Sequence, residues 1–362
     1  MKYLFDIGHP AHVHYFKNLI WTLKKKGHEI KITTRDKEIS LYLLNKYGFE
    51  YICTGQNKST ILGKISSLIK NDYVIYKETK KFNPDILISF FLPFTSHVGR
   101  VLRKPVIGFT DTEHATLNFF LSEKFTDTII TPRCYKRKFP QNKHIRFDGY
   151  FELAYLHPNY FTPDSSILNL LRVKKNERYI IMRFVSWKAS HDIGHKGISL
   201  ENKINAVKEF AKYAKIFISS EEKLPDVLEK FSIKIPPEKM HSALYYSSLL
   251  YGESATMASE CAVLGTPAIF LDNNGRGYTD EEEKRYGLVF NFTESLLDQE
   301  KSIKKGIELL QALDLKQEWQ IRRYKMLSEK IDITAFMIWL IENYPESVNI
   351  MKNNPDYQFN FK

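Results

Sequence analysis

The stretch GESATMASECAVLGTPAIFLD, from Gly252 to Asp272, places small and hydroxyl-bearing residues at the entry of an apolar helical run. A turn of this composition exposes backbone N–H groups at the positive end of a helix, and the two together make an anion site. Gly252, Ser254, Ala255 and Thr256 let a pyrophosphate press against the amides, with Met257 next in the same turn. Ser254 and Thr256 add hydroxyl donors. Glu260 follows Thr256 by one helical turn, where a carboxylate can accept two hydrogen bonds from a ribose diol. The competing reading is an ordinary helix start, capped by Ser254, with Glu260 in solvent.

Four further clusters sit where a strand hands over to the next element. GHPAHVH offers Gly8 and His9 to an acceptor and His12 as a general base with a near-neutral imidazole. A capping or core histidine is the rival reading, and no Asp, Glu or Cys stands at a spacing that suggests a metal. GFTDTEHA supplies Asp111 as a second candidate base, with Glu113 and His114 as acceptor-binding groups. RFVSWKASHDIGHKGIS gathers Arg183, Lys188, His191, His195 and Lys196 around two glycines, a cationic loop suited to a leaving diphosphate. SSEEKLP adds Ser219 and Glu221 as base or ribose contacts, or as a simple helix cap. The acidic run Asp280–Glu283 reads as a solvated helix start.

The elements that must position these clusters alternate. KYLFDI, HEIKITTR, FEYICTG, PDILISFF, KPVIGFTD and DTIITP read as strands, with helices over 14–26 and 61–82 between them. Such alternation predicts a parallel sheet with helices on both faces. A turn-rich segment over residues 147–177 interrupts the pattern. A second series follows, with strands RYIIMRF, AKIFISS, AIFL and GLVFNF, and then a helical tail. Two doubly wound domains predict a cleft at the carboxyl ends of both sheets.

Composition narrows the class. The 362 residues suffice for two domains, and 43% hydrophobic content supports sizeable cores. Three cysteines without metal-like spacing point to a reducing, cytoplasmic compartment. The net charge of +11 is lopsided: residues 1–170 hold 25 Lys/Arg against 15 Asp/Glu, and the remainder 28 against 27. A basic first half attracts anionic lipid or acidic substrates. The segments Ile20–Gly27 and Arg133–Phe139 set apolar and aromatic residues beside cations, as an interfacial contact would. No aromatic–basic motif for nucleic acid appears, so no nucleic-acid partner is expected.

The stretch from Gly252 resembles the donor sugar-nucleotide motif of GT-B-fold enzymes. That group includes the peptidoglycan N-acetylglucosaminyltransferase and the non-hydrolysing UDP-N-acetylglucosamine 2-epimerases. The resemblance implies that the small-residue turn takes the diphosphate and Glu260 the ribose. GHPAHVHYFKNLIWTLKKKGHEIKI resembles the acceptor-side glycine loop, helix and strand of the same enzymes, with His12 matching the loop histidine. IGFTDTEHA, DGYFELAYLHPNYFTPD, RFVSWKASHDIGHKGIS and LLYGESATMASECAVLGTPAIF together resemble the DUF354 family. This implies an α/β, GT-B-like fold of two Rossmann-like, doubly wound parallel-sheet domains with an interdomain cleft. The expected division is an acceptor domain over residues 1–160, a nucleotide-sugar donor domain over 161–335, and a helical tail over 336–362 that packs back on the first domain.

The implied activity is glycosyl transfer from a nucleotide sugar, a UDP-sugar by expectation, to a cell-surface glycan or lipid-linked acceptor in polysaccharide biosynthesis. No cofactor or metal is expected to be required. The expected location is the cytoplasm, at the inner face of an anionic plasma membrane. The alternatives are a 2-epimerase-like isomerase and a non-catalytic sugar-nucleotide-binding protein. SHDIGHKG stands where the 2-epimerases carry a His-Arg loop, and that departure counts against the isomerase.

Overall fold

The computed structural model describes all residues except 38, 57–60, 175 and 187–194, and the side chains of 56 and 61–70. The chain divides into two units, Met1–Tyr155 with Ile331–Lys362, and Leu156–Lys330. The first change of unit thus falls at 155/156, five residues before the expected boundary. The second falls at 330/331, so the helix Ile333–Glu342 belongs wholly to the first unit. Hydrogen bonds explain the assignment. Ile331 N–H donates to the Asp148 carbonyl at 3.1 Å, and Thr334 Oγ1–H to the Ala154 carbonyl at 2.8 Å. Glu342 accepts from Lys26 at 2.6 Å.

The first unit is built on seven parallel strands: β1 (Lys2–Ile7), β2 (Glu29–Asp36), β3 (Ile52–Gln56), β4 (Ile86–Ser89), β5 (Val106–Phe109), β6 (Thr128–Pro132) and β7 (His144–Phe147). Their order is β3-β2-β1-β4-β5-β6-β7. The central strands are buried on both faces, which is why Tyr3–Ile7 and Ile86–Ser89 read as nearly unbroken apolar runs. Strand β7 was absent from the sequence reading. It is a four-residue edge strand whose inward Ile145 and Phe147 alternate with partly exposed His144 and Arg146. The first long helix spans Pro10–Lys25, beginning four residues earlier than expected. Pro10 is tolerated in the first turn because that turn's N–H groups lack intrahelical acceptors, and His9 Nδ1 caps by accepting from Ala11 N–H at 3.2 Å.

The second unit carries five parallel strands: β8 (Tyr179–Phe184), β9 (Lys215–Ser220), β10 (Leu249–Gly252), β11 (Ala268–Leu271) and β12 (Val289–Phe292). Their order is β12-β11-β10-β8-β9. In each unit the first strand of the series lies between neighbours that continue the chain in opposite directions across the sheet. The crevice outside the carboxyl ends of such a pair is where open α/β sheets bind ligands. The pair is β1 and β4 in the first unit, β8 and β10 in the second.

Candidate functional site

In the second unit, Arg183 and Gly252 face each other in register at the ends of β8 and β10. A Cβ on Gly252 would lie 2.0 Å from the Arg183 carbonyl oxygen, so only glycine fits. The chain then turns through Glu253 into the helix Ala255–Leu264. Ser254 caps it: its hydroxyl oxygen accepts from Met257 N–H at 3.3 Å. Helix geometry leaves the amides of Ala255 and Thr256 without intrahelical acceptors. Thr256 and Met257 are partly exposed, Ala255 is at the edge of burial, and Gly265 ends the helix with φ 72°. The turn therefore offers two amides and a Thr hydroxyl to an anion, with Ser254 Oγ already used as a cap acceptor.

The parallel register of β8 and β9 also pairs Arg183 with Ser219. Arg183 Nη1–H donates to Ser219 Oγ at 2.9 Å and Nη2–H to Glu221 Oε1 at 2.6 Å. Glu221 Oε2 accepts from Ser186 N–H at 3.1 Å. These three expected donor residues are thus one network, and Glu221 serves to hold the guanidinium. Arg183 Nε is buried and has no hydrogen-bond acceptor among the described residues.

Glu253, which the sequence reading passed over, is buried. Its carboxylate accepts from Val185 N–H at 2.9 Å and Ile198 N–H at 2.6 Å, and Lys203 Nζ lies 3.5 Å away. It fixes the chain on both sides of residues 187–194, and Lys188 and His191 lie outside the described residues. Lys196 is exposed, and its backbone N–H donates to Glu294 Oε2 at 2.7 Å.

Glu260 is buried rather than solvated, with Oε1 3.0 Å from His241 Nε2. A ribose diol would share that carboxylate with the imidazole. Among the described residues, the grouping with metal-ligating atoms within 4.8 Å of one another is His195, Asp272 and Glu294. Each of these already has protein partners. Glu294 meets His195 Nδ1 and the amides of Lys196 and Gly197. Asp272 accepts from Arg276 at 3.0 Å, and Asn274 Nδ2 lies 2.7 Å from His195 Nε2. A cation here would compete with a guanidinium and an imidazole hydrogen bond.

In the first unit the three histidines separate. His9 is the cap already described. His14 is buried against Tyr155, ring centroids 5.3 Å apart. His12 is buried beside Phe90, which follows β4, with centroids 4.5 Å apart. Burial, then the charges of His9, Lys37 and Arg35, push its pKa well below the usual imidazole range. This corrects the expectation of a near-neutral base. Gly8 N–H donates to His12 Nδ1 at 3.3 Å, so the neutral ring carries its single proton on Nε2. His12 accordingly presents a hydrogen-bond donor.

Asp111 is buried one strand further along. Thr112 Oγ1–H donates to Oδ1 at 3.0 Å, and Tyr15 OH lies 3.5 Å from Oδ2 and 3.4 Å from Glu152 Oε1. Glu113 Oε1 accepts from Lys136 N–H at 3.3 Å. The His114 carbonyl accepts from Thr116 N–H at the start of the helix Thr116–Ser122. Tyr15 and Glu152 carry no local sequence signal; the helix Pro10–Lys25 and the segment after β7 bring them to Asp111. The interfacial reading of Arg133–Phe139 needs correction as well. Tyr135 and Phe139 are core residues packed with Phe91, Phe119 and Ile129, leaving Lys136 and Lys138 exposed. On the helix Thr116–Ser122, Leu117 and Phe120 are exposed.

Among solved structures, a Listeria monocytogenes protein classed as a UDP-N-acetylglucosamine 2-epimerase is similar at TM-score 0.69, 14% identity, covering 95% of this chain and 96% of that one. The spinosyn rhamnosyltransferase SpnG complexed with thymidine diphosphate is similar at TM-score 0.63, 12% identity, covering 95% and 100%. At these identities the likeness shows the fold, which is GT-B-like. The uncharacterized protein MJ0665 of Methanocaldococcus jannaschii is 27% identical over 273 residues, covering 73% of this chain and 80% of its own length. The family model described as a protein of unknown function, DUF354, matches residues 1–275, and the chain belongs to that family.

Proposed function

We propose that the protein is a nucleotide-sugar-dependent glycosyltransferase. The second unit holds the donor, with the diphosphate on the amides of Ala255 and Thr256 beside Arg183. The first unit holds the acceptor near Gly8, His9, Glu113 and His114. A hydroxyl oxygen of the acceptor attacks the anomeric carbon, the bond from that carbon to the phosphate oxygen breaks, and the nucleotide leaves with the electron pair. The hydroxyl proton passes to the Asp111 carboxylate, while His12, neutral and protonated at Nε2, orients the acceptor as a donor. Arg183 and the helix dipole offset the charge on the leaving phosphate without a metal.

The observation that carries the reading is the fit of Gly252 against the Arg183 carbonyl, which brings a capped helix start and a guanidinium to one sheet edge. Fold likeness to a rhamnosyltransferase solved with thymidine diphosphate supports it. A glycan or lipid-linked acceptor, and an anionic membrane surface, fit the basic first half of the sequence. Among the described residues no helix is long and apolar enough to cross a membrane.

The test incubates UDP-, GDP-, CMP- and dTDP-sugars with the full chain, with and without glycan and polyprenyl-phosphate acceptors, and follows the sugar nucleotides by NMR. Transfer gives free nucleotide that depends on acceptor. A C2 epimer formed without acceptor supports the isomerase instead. Tight binding with no turnover supports the non-catalytic reading.

A further inference from the structure

Arg35 stands at the carboxyl end of β2, beside the candidate acceptor residues, and no sequence motif marked it. The β1–β2 register sets Ile7 against Thr34, which brings Arg35 next to Gly8. A Cβ on Gly8 would lie 2.5 Å from Arg35 Nη2, so the guanidinium rests against the Gly8 backbone. On another side it lies over the Phe94 ring, 5.1 Å from its centroid. Burial lowers its pKa, and the charge of Asp6 opposes that shift.

Asp6 does not neutralise Arg35 by contact. Its two oxygens accept from Thr33 Oγ1 at 2.9 Å and Thr95 Oγ1 at 2.7 Å. Among the described residues, no carboxylate oxygen lies within 4.0 Å of the Arg35 guanidinium nitrogens, and none of these nitrogens donates a hydrogen bond. Guanidinium stays charged throughout the working pH range, and the nitrogens of this half-buried one are not sealed from solvent, so they are open to an incoming acceptor. Its planar fork matches two oxygens of a phosphate or carboxylate. The 16-residue helix Pro10–Lys25 begins at the same strand edge and points its positive end there. Lys37 adds a further positive charge that His12 senses.

We propose that Arg35 is the receptor for an oxyanion at the carboxyl edge of β1 and β2. Resting on the transferase reading above, this means that the acceptor carries a phosphate or a carboxylate close to the hydroxyl that reacts.

The test is calorimetric titration of the full chain with inorganic phosphate, pyrophosphate and acetate, the donor site being filled with UDP. The wild type should bind one equivalent of at least one probe, and the preferred probe separates phosphate from carboxylate recognition. Arg35→Gln should weaken that binding at least tenfold, and Arg35→Lys should fall between. Gly8→Ala keeps the charge but pushes the guanidinium from its place, and should also weaken the anion. UDP affinity should stay unchanged in all three. No probe binding to the wild type, or wild-type anion affinity in a folded Arg35→Gln protein, overturns the proposal. If Arg35→Gln fails to fold, wild-type anion affinity in Gly8→Ala overturns it. If UDP does not bind, the same titrations run without it. Arg35-dependent anion binding then sustains this proposal while the donor reading fails.

Discussion

Glu282 lies on the helix Gly277–Lys284 with no solvent exposure. Ser259, on the helix that starts at the candidate donor turn, donates its hydroxyl to Glu282 Oε1 at 2.5 Å, and Oε2 has no hydrogen-bond partner among the described residues. Burial, the dominant influence, raises the pKa to about 8 from 4.5; the Ser259 bond opposes it, the Glu281 charge adds to it, and Lys330 opposes it. In the folded protein at neutral pH this is a protonated acid. Below pH 4.5 both folded and unfolded chains hold the proton, and its effect on stability is nil. From pH 4.5 to about 8 only the folded chain holds it, so stability falls with rising pH by about 1.4 kcal/mol per pH unit. The accumulated loss is on the order of 4 kcal/mol at pH 8 and then levels off.

Glu282→Gln keeps the shape and the Ser259 bond but cannot ionise. Urea unfolding of wild type and variant at pH 5, 6, 7 and 8 isolates the effect, because other titrations cancel in the difference. The stability of the variant relative to the wild type should rise by about 3–4 kcal/mol from pH 5 to pH 8. A difference that does not change with pH refutes the reasoning.

Two further outcomes are expected. Gly252→Ala drives a methyl group into the backbone at the end of β8, and should lower stability by about 1–3 kcal/mol or more and reduce nucleotide binding; urea melts and calorimetry check both. Because the His12 pKa lies well below 6.5, the rate-versus-pH profile should show no acid limb at pH 6–7 that vanishes in His12→Gln; such a limb would restore His12 as the base.

Much of the fold was legible because a parallel sheet buried on both faces leaves apolar runs such as Tyr3–Ile7 and Ala268–Leu271. The network of Arg183, Ser219 and Glu221 was legible as a set of neighbours, since each stands at or just past the carboxyl end of a strand. What remained hidden depends on distance in the sequence. Strand β7 has polar residues on its exposed side and takes its identity from pairing with β6. The first turn of the helix from Pro10 escaped the sequence reading because histidine is an unusual cap. The burial of His12 comes from Phe90, some eighty residues away, and the role of Arg35 from the register of β2 with β1. Glu253 sat inside the quoted motif, but its partners, Val185 and Ile198, belong to another segment.

The most direct test of the donor reading removes a single amide. Ala255 is the first residue of its helix, and Ser254 before it is extended, at φ −102° and ψ 110°. Proline is favoured at such a position, and the residue before a proline favours that conformation. Ala255→Pro should therefore keep the fold and delete one N–H donor from the diphosphate. Calorimetry with the nucleoside diphosphate that binds the wild type best should show affinity about tenfold to a hundredfold weaker in Ala255→Pro, with an unchanged melting temperature. Equal affinity in the two proteins, or no nucleoside diphosphate bound by the wild type, contradicts the account.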